Sequence, residues 1–411
     1  MPLSRYDGCG MNAADQLKLD IKSLALEVGF ARVGVAPATP VPSAGRYEQW
    51  LAGGNHADMS YLARNMEQRF NPAVIVPGAK SVICMAARYA DVSLSWHGRL
   101  AHASQGHLAP ASSASSSSSS SSSSLMHQEK ENGKEKEETT ITGGTPVRRM
   151  SETPMPHDNL VAGFAHGRDY HKVLKKRCER LMERIAGLAP NFSGRAFVDS
   201  APIMERSLAV QAGVGFIARN GCLVSPGLGS YVLLCEIVCN LDLPPDKPIA
   251  DKCDDCGRCV AACPTGALGH DGLVDARRCV SYLTIENRGT IATEFWRRIG
   301  TRVFGCDACQ RVCPHNSDLP PADAATLGGQ ALMNANLSDI LNWQPADWDS
   351  ATRGSTTRRA TYDMFIRNAI IAAGNSSRRE LIPQLRQVCK VHTQQASLAA
   401  WAISCLEDEE D

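Results

Sequence analysis

The segment Cys253-Asp-Asp-Cys256-Gly-Arg-Cys259-Val-Ala-Ala-Cys263-Pro264 determines how the middle of this chain folds. Its spacing, C-x2-C-x2-C-x3-C-P, is that of the bacterial run that binds 4Fe–4S clusters. In that run the first three thiolates come from one short loop and bind one cluster, whereas the cysteine before the proline binds a second cluster. The segment therefore predicts a domain built around two clusters.

A second, incomplete run follows further along the chain. Three cysteines and Pro314 repeat the end of the motif, and one more cysteine in the segment can replace the missing first ligand. The crossed ligand rule then gives two complete sets of four. Two four-thiolate zinc sites are the alternative, but zinc sites usually pair two C-x2-C knuckles, so the triple run matches them poorly. The predicted sets are Cys253, Cys256, Cys259 and Cys313 for one cluster, and Cys263, Cys279, Cys306 and Cys309 for the other.

The composition is that of an ordinary globular protein apart from its cysteines. The 411 residues include 43 Lys and Arg against 43 Asp and Glu, and 43% are apolar, so the chain is neutral and can bury a core. Neutrality argues against a whole surface that binds polyanions, and no apolar run approaches the ~18–20 residues that span a bilayer. Without a secretory leader, the 16 cysteines are not expected to form disulfides. We expect a cytoplasmic protein without a membrane span, with import into an organelle left open.

Eight cysteines lie outside the two runs, several of them in apolar surroundings such as Val-Ile-Cys84-Met-Ala. Free cysteines in such surroundings behave as small buried hydrophobes. We therefore expect no ligand role for these residues, which are Cys9, Cys84, Cys178, Cys222, Cys235, Cys239, Cys389 and Cys405.

Helical and strand patterns alternate along most of the chain. Apolar residues at helical spacing predict a helix between Asp15 and Gly29, and Ala31–Val35 and Ser81–Ala86 read as strands. Asp169 is a good N-cap for a further helix, and Pro202 predicts the start of the next one. These patterns indicate mixed α and β structure.

A low-complexity stretch interrupts this pattern. The serine run Ser115–Ser124 and the charged residues behind it cannot bury enough apolar surface to fold, so we expect disorder there. The predicted segments are 1–103 and 159–245 for one α/β domain, 104–158 for the disordered insertion, 246–320 for the two-cluster domain, 335–406 for a helical repeat and 407–411 for an acidic tail.

The C-terminal helical segment is basic. Between positions 351 and 392 there are eight Arg or Lys residues and two acids, and the acidic tail behind them helps to cancel this excess. A basic helical surface suits the phosphate backbone of a nucleic acid. A solvated helix face is the other interpretation, and charge counting does not separate the two.

Several ordered motifs together resemble one enzyme family. They are Gly167-Arg-Asp-Tyr-His171, Phe197-Val-Asp-Ser-Ala-Pro-Ile203 with Glu205-Arg206, the ferredoxin run, Val274–Glu286, Phe304–Gln310 and Arg367-Asn368 with Gly374-Asn375. The chain is similar to epoxyqueuosine reductases over residues 15 to 405, apart from the insertion. The resemblance implies an α+β protein with a nitroreductase-like cobalamin domain, a ferredoxin-like domain with two 4Fe–4S clusters, and a HEAT-like helical repeat. It also implies reduction of epoxyqueuosine to queuosine at the wobble position of tRNA.

The resemblance also implies roles for individual residues. Asp199 corresponds to the general acid that protonates the departing epoxide oxygen, a role that a carboxyl at a strand end can fill if burial raises its pKa towards neutrality; helix N-capping is its other interpretation. The implied partners are tRNA with epoxyqueuosine and an external flavodoxin- or ferredoxin-like electron donor, and we expect a monomer. Implied cobalamin contacts are Arg64, Asp199, the stretch Leu223–Leu234, Ser281, Cys306 and Asp307, and implied tRNA contacts are Arg288, Arg358, Arg359 and Arg378.

One stretch departs from the family pattern, and two other functions remain open. Where the family commonly has a Ser-Arg-Tyr-Ala-like stretch, this chain has Ala162-Gly163-Phe164-Ala165, so a polar contact near the reacting groups is lost or supplied elsewhere. A reductive dehalogenase would use the same cofactors, but those enzymes usually carry a twin-arginine signal, absent here. A plain ferredoxin-type electron carrier would not need the long region before the clusters.

Overall fold

A small antiparallel sheet organises the part of the chain before the cysteine runs. The computed structural model describes residues 12–89, 160–269, 271–317, 319, 332 and 336–408, and these residues belong to one compact unit. The predicted insertion, Cys9 and the last residues of the acidic tail lie outside the described residues. The strands are β1 (Arg32–Pro37), β2 (Ser81–Arg88), β3 (Gly194–Phe197), β4 (Phe216–Ile217), β5 (Leu223–Val224) and β6 (Val232–Cys239).

The main sheet has the strand order β1-β2-β6-β3, and each neighbouring pair is antiparallel. Every residue of β2 is buried, which explains its unbroken apolar pattern. The short strands β4 and β5 form a separate two-stranded ribbon. Both strands predicted near the N-terminus are confirmed, each extending two residues further than expected.

Helices account for most of the remaining regular structure. No helix among the described residues is both long enough and apolar enough to cross a membrane. The α-helices are α1 (Ala13–Glu27), α2 (Ala44–Ala52), α3 (Met66–Phe70), α4 (Pro72–Ile75), α5 (Tyr170–Leu188), α6 (Glu205–Gln211), α7 (Arg258–Ala261), α8 (Val280–Ile285), α9 (Thr293–Ile299), α10 (Ala308–Arg311), α11 (Leu337–Asn342), α12 (Pro345–Thr352), α13 (Tyr362–Gly374), α14 (Ile382–Val391) and α15 (Ala396–Glu407).

The two faces of the main sheet pack against different helices. On one face, Ile21 of α1 and Leu174 of α5 join a core with Ile237 of β6. On the other face, Leu208 of α6 packs with Val238 of β6 and other alternate residues of the strands. The end of α6 comes so close to β1 that a Cβ at Gly34 would lie 1.9 Å from the Ala212 carbonyl oxygen, so only glycine fits there.

The chain between β3 and α6 differs from the prediction. Asp169 caps α5 as expected, since its carboxylate accepts from the His171 N–H at 3.1 Å. Pro202 does not start a helix, however, and α6 begins at Glu205. The residues between form tight turns, with hydrogen bonds from Ser200 N–H to the Val198 oxygen and from Ile203 N–H to the Ala201 oxygen. Asp199 therefore lies in a turn.

The C-terminal segment is helical, as predicted. The sequence pattern predicts helices at Leu337–Asn342, Asp363–Gly374, Glu380–Val391 and Ser397–Leu406, and helices α11, α13, α14 and α15 match them within about two residues. Helix α12 was not predicted, because its sequence lacks an apolar stripe; Pro345 and a capping box of Gln344 with Asp347 start it. These helices share one apolar core with residues of the two-cluster segment, such as Leu283 and Phe304.

Candidate functional site

The first predicted cysteine set lines one cavity. Cys253, Cys256, Cys259 and Cys313 surround it together with Asn220, Arg219 and His315. Repulsion from the other three thiolates adds to burial in raising the pKa of Cys313. Among the described residues, no three His, Cys, Asp or Glu side chains are arranged around a single metal ion. Four thiols around a shared cavity are the donor set that a 4Fe–4S cluster requires.

The second predicted set is also gathered in one place. Burial, helped by repulsion from Cys306, Cys309 and Cys263, raises the pKa of Cys279 to about 12. These four side chains come from the ends of short elements: Cys279 precedes α8, whereas Cys309 lies within α10. The first set thus lines one cavity and the thiols of the second set lie close enough to repel one another, while the crossed assignment of the eight ligands stays a prediction.

One cysteine outside the runs lies closer to this site than expected. The Cys222 thiol, between β4 and β5, lies close enough to the Cys309 thiol that the pair lowers the pKa of Cys222 and raises that of Cys309. The sequence places Cys222 after Asn220 and Gly221 in a plain turn, so nothing in its spacing reveals this contact. By contrast, Cys84, Cys178 and Cys235 are fully buried in the apolar core, as predicted.

A second group of polar residues surrounds Asp199. Its side chain is 55% exposed, and the Tyr170 hydroxyl donates to Oδ2 at 2.5 Å. The His171 ring nitrogen Nε2 lies 3.2 Å from the same oxygen. The other ring nitrogen, Nδ1, lies 2.8 Å from Oδ1 of Asp169. The imidazole thus bridges two carboxylates, and the motif Arg-Asp-Tyr-His at the start of α5 supplies both side chains that contact the Asp199 carboxylate, Tyr170 and His171.

The expected rise in the pKa of Asp199 is wrong. Hydrogen bonds from His171 and Tyr170 lower the pKa of Asp199, although burial opposes them. Burial lowers the pKa of His171, but its hydrogen bonds to Asp199 and Asp169 outweigh this and raise it. The proton between Asp199 and His171 therefore resides mainly on His171, and the neighbouring Asp199 is ionised. The alternative that Asp199 caps a helix is also wrong, because the N-cap of α6 is Met204.

The predicted cobalamin contacts lie in different environments. Arg64 is exposed at the end of a 3-10 helix, whereas Leu223 is 4% exposed and packs in the apolar core. Leu234 and Ser281 are half-buried. Asp307 accepts a hydrogen bond from the Gly163 N–H at 2.8 Å. The stretch Ala162–Ala165, which differs from the family pattern, thus contacts the loop of the second thiol set through its backbone and not through a polar side chain.

The predicted tRNA-binding arginines all have partners within the chain. Arg359 makes two hydrogen bonds to the Glu286 carboxylate, at 2.7 and 2.8 Å, and its guanidinium lies 5.8 Å from the centre of the Tyr61 ring. Arg288 donates to the Arg359 carbonyl at 3.0 Å. Two further pairs join Arg358 to Asp349 and Arg378 to Glu380.

The basic excess counted in the sequence is therefore only partly a charged surface. Arg367, which is one of the eight cations, is 4% exposed and belongs to the interior. Arg359 lies near Asp199, because its charge adds to the hydrogen bonds that lower the pKa of Asp199. Charge counting placed all of these cations on one surface, and for Arg367 that was wrong.

This sheet domain and these two sets of four thiols define a two-cluster iron–sulfur oxidoreductase. The family model of a 4Fe–4S double cluster binding domain matches residues 252–316, and that of "epoxyqueuosine reductase QueG, DUF1730" matches residues 144–200. Curated relatives named epoxyqueuosine reductase include one from Francisella cf. novicida, 35% identical over 80% of this chain and 79% of its own length. Another, from Pseudomonas aeruginosa, is 33% identical over 88% of this chain and 86% of its own length.

Solved structures agree with these relatives. The epoxyqueuosine reductase of Streptococcus thermophilus has a TM-score of 0.73 and 26% identity, covering 96% of this chain and 91% of that one. A crystal structure of epoxyqueuosine reductase with an epoxyqueuosine-modified tRNA-Tyr stem loop has a TM-score of 0.73, 25% identity and the same coverage. The chain belongs to the epoxyqueuosine reductase family.

Proposed function

We propose that this chain reduces epoxyqueuosine to queuosine in tRNA, and that Asp199 protonates the departing epoxide oxygen. Removal of that oxygen as water consumes two electrons and two protons, so the site needs both an electron supply and a proton supply. The two thiol sets suit clusters that pass single electrons from an external donor of the flavodoxin or ferredoxin kind. The observation that carries the proposal is the exposed Asp199 carboxylate held between Tyr170 and a proton-bearing His171.

The contacts of Asp199 suggest how it receives its proton. Tyr170 has a pKa raised well above its ordinary value, by burial and then by the charge of Asp199, so it stays protonated and only orients the carboxylate. His171 shares its Nε2 proton with Asp199 and is oriented by Asp169 through Nδ1. We propose that His171 delivers protons to Asp199, which passes them to the substrate oxygen. Tyr170 and His171 had no assigned role in the sequence, where both could equally be structural.

Cobalamin is the proposed third cofactor. Arg88 at the end of β2 is 8% exposed, and its Nε and one NH2 nitrogen have no hydrogen-bond partner among the described residues. In the sheet, Arg88 of β2 lies opposite Val232 of β6, which belongs to the stretch Leu223–Leu234 that was predicted to contact the corrin. Two buried guanidinium nitrogens without partners suit a ligand that carries amide carbonyls and a phosphate. Bound cobalamin would supply a low-valent cobalt as the reductant, held by this stretch, Arg64, Ser281 and the Cys306-Asp307 turn.

The substrate side of the proposal rests on the region near Asp199. Tyr61 is 38% exposed and lies beside Arg359. Burial and then the charge of Glu286 raise the pKa of its hydroxyl, and the charge of Asp199 adds to them. An aromatic ring with a guanidinium above it is the kind of surface on which an unstacked RNA base packs. We propose that tRNA approaches Asp199 over this surface, with Arg288, Arg358 and Arg378 contributing charge, and that the enzyme acts as a monomer.

The test is the single-turnover rate of Asp199→Asn with epoxyqueuosine-containing tRNA under anaerobic conditions. Loss of a general acid is expected to slow conversion about 10²- to 10⁴-fold. Asp242→Asn is the matched control, because the Asp242 side chain is 83% exposed and pairs only weakly with Lys80 at 3.5 Å. Iron content and corrin absorbance of each variant must equal those of the wild type. Full turnover by Asp199→Asn with both cofactors bound would refute the acid assignment.

A further inference from the structure

We infer that Glu205 is a positioning residue for Asp199, and that the buried carboxyl of Glu236 holds the Glu205 carboxyl in place by a hydrogen bond. The inference rests on the proposed role of Asp199 and adds two residues to which no role is assigned. It begins from the backbone of Asp199, which has a φ of 55°. Residues with a side chain adopt this left-handed conformation infrequently, Asp more readily than most, and residues held in it cluster at functional sites.

The contact that holds this backbone comes from Glu205. The Asp199 N–H donates to Oε1 of Glu205 at 2.6 Å. Glu205 is the first residue of α6, and its carboxylate does not cap that helix but turns back towards the preceding loop. The rigid helix, packed against β1 and β6, therefore fixes the position from which Asp199 presents its carboxyl group to Tyr170 and His171.

A second carboxyl lies behind the first. Glu236 sits in the middle of β6 with an exposure of 0%, on the face of the sheet that packs against α6. Neither of its oxygens makes a hydrogen bond of ordinary geometry among the described residues, although the Glu205 carboxyl is near enough to affect it. A buried glutamate inside an apolar strand is costly unless it is neutral and has a polar neighbour. Glu205 is that neighbour.

The electrostatics agree with a neutral pair. Burial and then the charges of nearby acids raise the pKa of Glu236 well above its ordinary value. Burial and then the charge of Asp199 raise the pKa of Glu205 to about 8, so this carboxyl is also mostly protonated at neutral pH. A protonated Glu205 can accept from the Asp199 N–H with one oxygen and donate from the other to Glu236. The titratable or charged groups that interact electrostatically with the Glu205 carboxyl are Asp199, Arg206, His171, Tyr170, Glu236, Cys84 and Cys235.

This arrangement predicts an unusual pattern of substitutions. Glutamine has the shape of a protonated glutamate and offers the same acceptor and donor, so Glu205→Gln should keep kcat within about threefold of the wild type. Glu205→Ala removes the acceptor of the Asp199 N–H and should lower kcat about 10- to 100-fold, as expected for a misplaced catalytic group. The KM for tRNA should stay within about threefold in both variants, because Glu205 does not contact the substrate.

The experiment is anaerobic steady-state kinetics of Glu205→Gln, Glu205→Ala and Glu236→Gln, each also combined with Asp199→Asn. Iron content and corrin absorbance verify that each variant is loaded. If Glu205 acts through Asp199, then Glu205→Ala should cost nothing further in the Asp199→Asn background. An inactive Glu205→Gln, a fully active Glu205→Ala or additive losses in the double variant would each overturn the inference. If Asp199→Asn alone were fully active, the proposed acid would fail instead, which is a separate result.

Discussion

Arg367 allows a sharp test of how the C-terminal helices are joined to the cluster segment. Its guanidinium, inside α13, donates to the backbone carbonyls of Leu283 at 2.8 Å, Asn287 at 2.9 Å and Gly289 at 2.5 Å. These carbonyls follow the predicted cluster ligand Cys279. Burial lowers the pKa of Arg367 to about 10, so the side chain stays charged at neutral pH. One cation therefore satisfies three acceptors across this junction.

Arg367→Met removes the donors of all three carbonyls while keeping an apolar stem. The Leu283 carbonyl is fully enclosed and should cost about 2 kcal/mol when left without a donor. The carbonyls of Asn287 and Gly289 lie nearer the surface and can regain water, so each should cost about 0.5–1 kcal/mol. The free energy of unfolding should therefore fall by about 3–4 kcal/mol. Arg367→Lys should fall between this variant and the wild type, because one ammonium does not reach three carbonyls with the geometry of a guanidinium.

Urea unfolding of the cofactor-loaded protein measures this change. Arg353→Met is the matched control, because Arg353 is 74% exposed and makes only a surface ion pair, which is worth less than about 1 kcal/mol. Binding of tRNA gives a second readout. Since Arg367 is not on the surface, its replacement should leave the salt dependence of tRNA binding unchanged. Equal destabilisation by Arg367→Met and Arg353→Met would show that Arg367 does not join the C-terminal helices to the cluster segment.

Three further predictions concern the proposed site. The turnover of the wild type should fall as the pH rises through the raised pKa of His171, because the proton shared with Asp199 is then lost, and His171→Gln should abolish this limb of the pH profile; an unchanged limb would exclude His171 as its source. Arg359→Gln should weaken tRNA binding and flatten the slope of log affinity against log salt by up to about 0.7–0.9, and an unchanged slope would remove Arg359 from the tRNA surface. Cys309→Ala should lose about half of the bound iron, because one of two clusters loses a ligand, whereas Cys222→Ala should keep it all; the opposite result would exchange their roles.

Spacing carried most of the information about the clusters. The ligands of 4Fe–4S clusters come from short loops, so the distance between Cys253, Cys256 and Cys259 along the chain already determines which thiols can meet. Local rules also predicted most helices, because the cap at Asp169 and the apolar stripe of α5 act within a few residues. The helix start predicted at Pro202 was wrong because a proline permits a helix start without requiring one. The turns around Ala201 delay the start of α6 to Glu205.

The polar groups around Asp199 depended on contacts that the sequence does not display. Tyr170 and His171 are separated from Asp199 by a whole helix and a strand, so the lowered pKa of Asp199 could not be read from its neighbours along the chain. Glu236 interrupts an apolar strand, and only the packing of α6 gives it a neighbour in Glu205. A count of charges along the sequence likewise does not show that Arg367 is buried or that Arg358 and Arg359 form ion pairs.

The most direct test of the whole account is the conversion of the modified nucleoside itself. The purified chain, with its clusters reconstituted and cobalamin added, is incubated anaerobically with a one-electron donor and tRNA that contains epoxyqueuosine, and the nucleosides are then analysed by mass. We expect the epoxyqueuosine peak to be replaced by one lighter by the mass of one oxygen atom, and only when clusters, cobalamin and donor are all present. Unchanged epoxyqueuosine with all components loaded would contradict it.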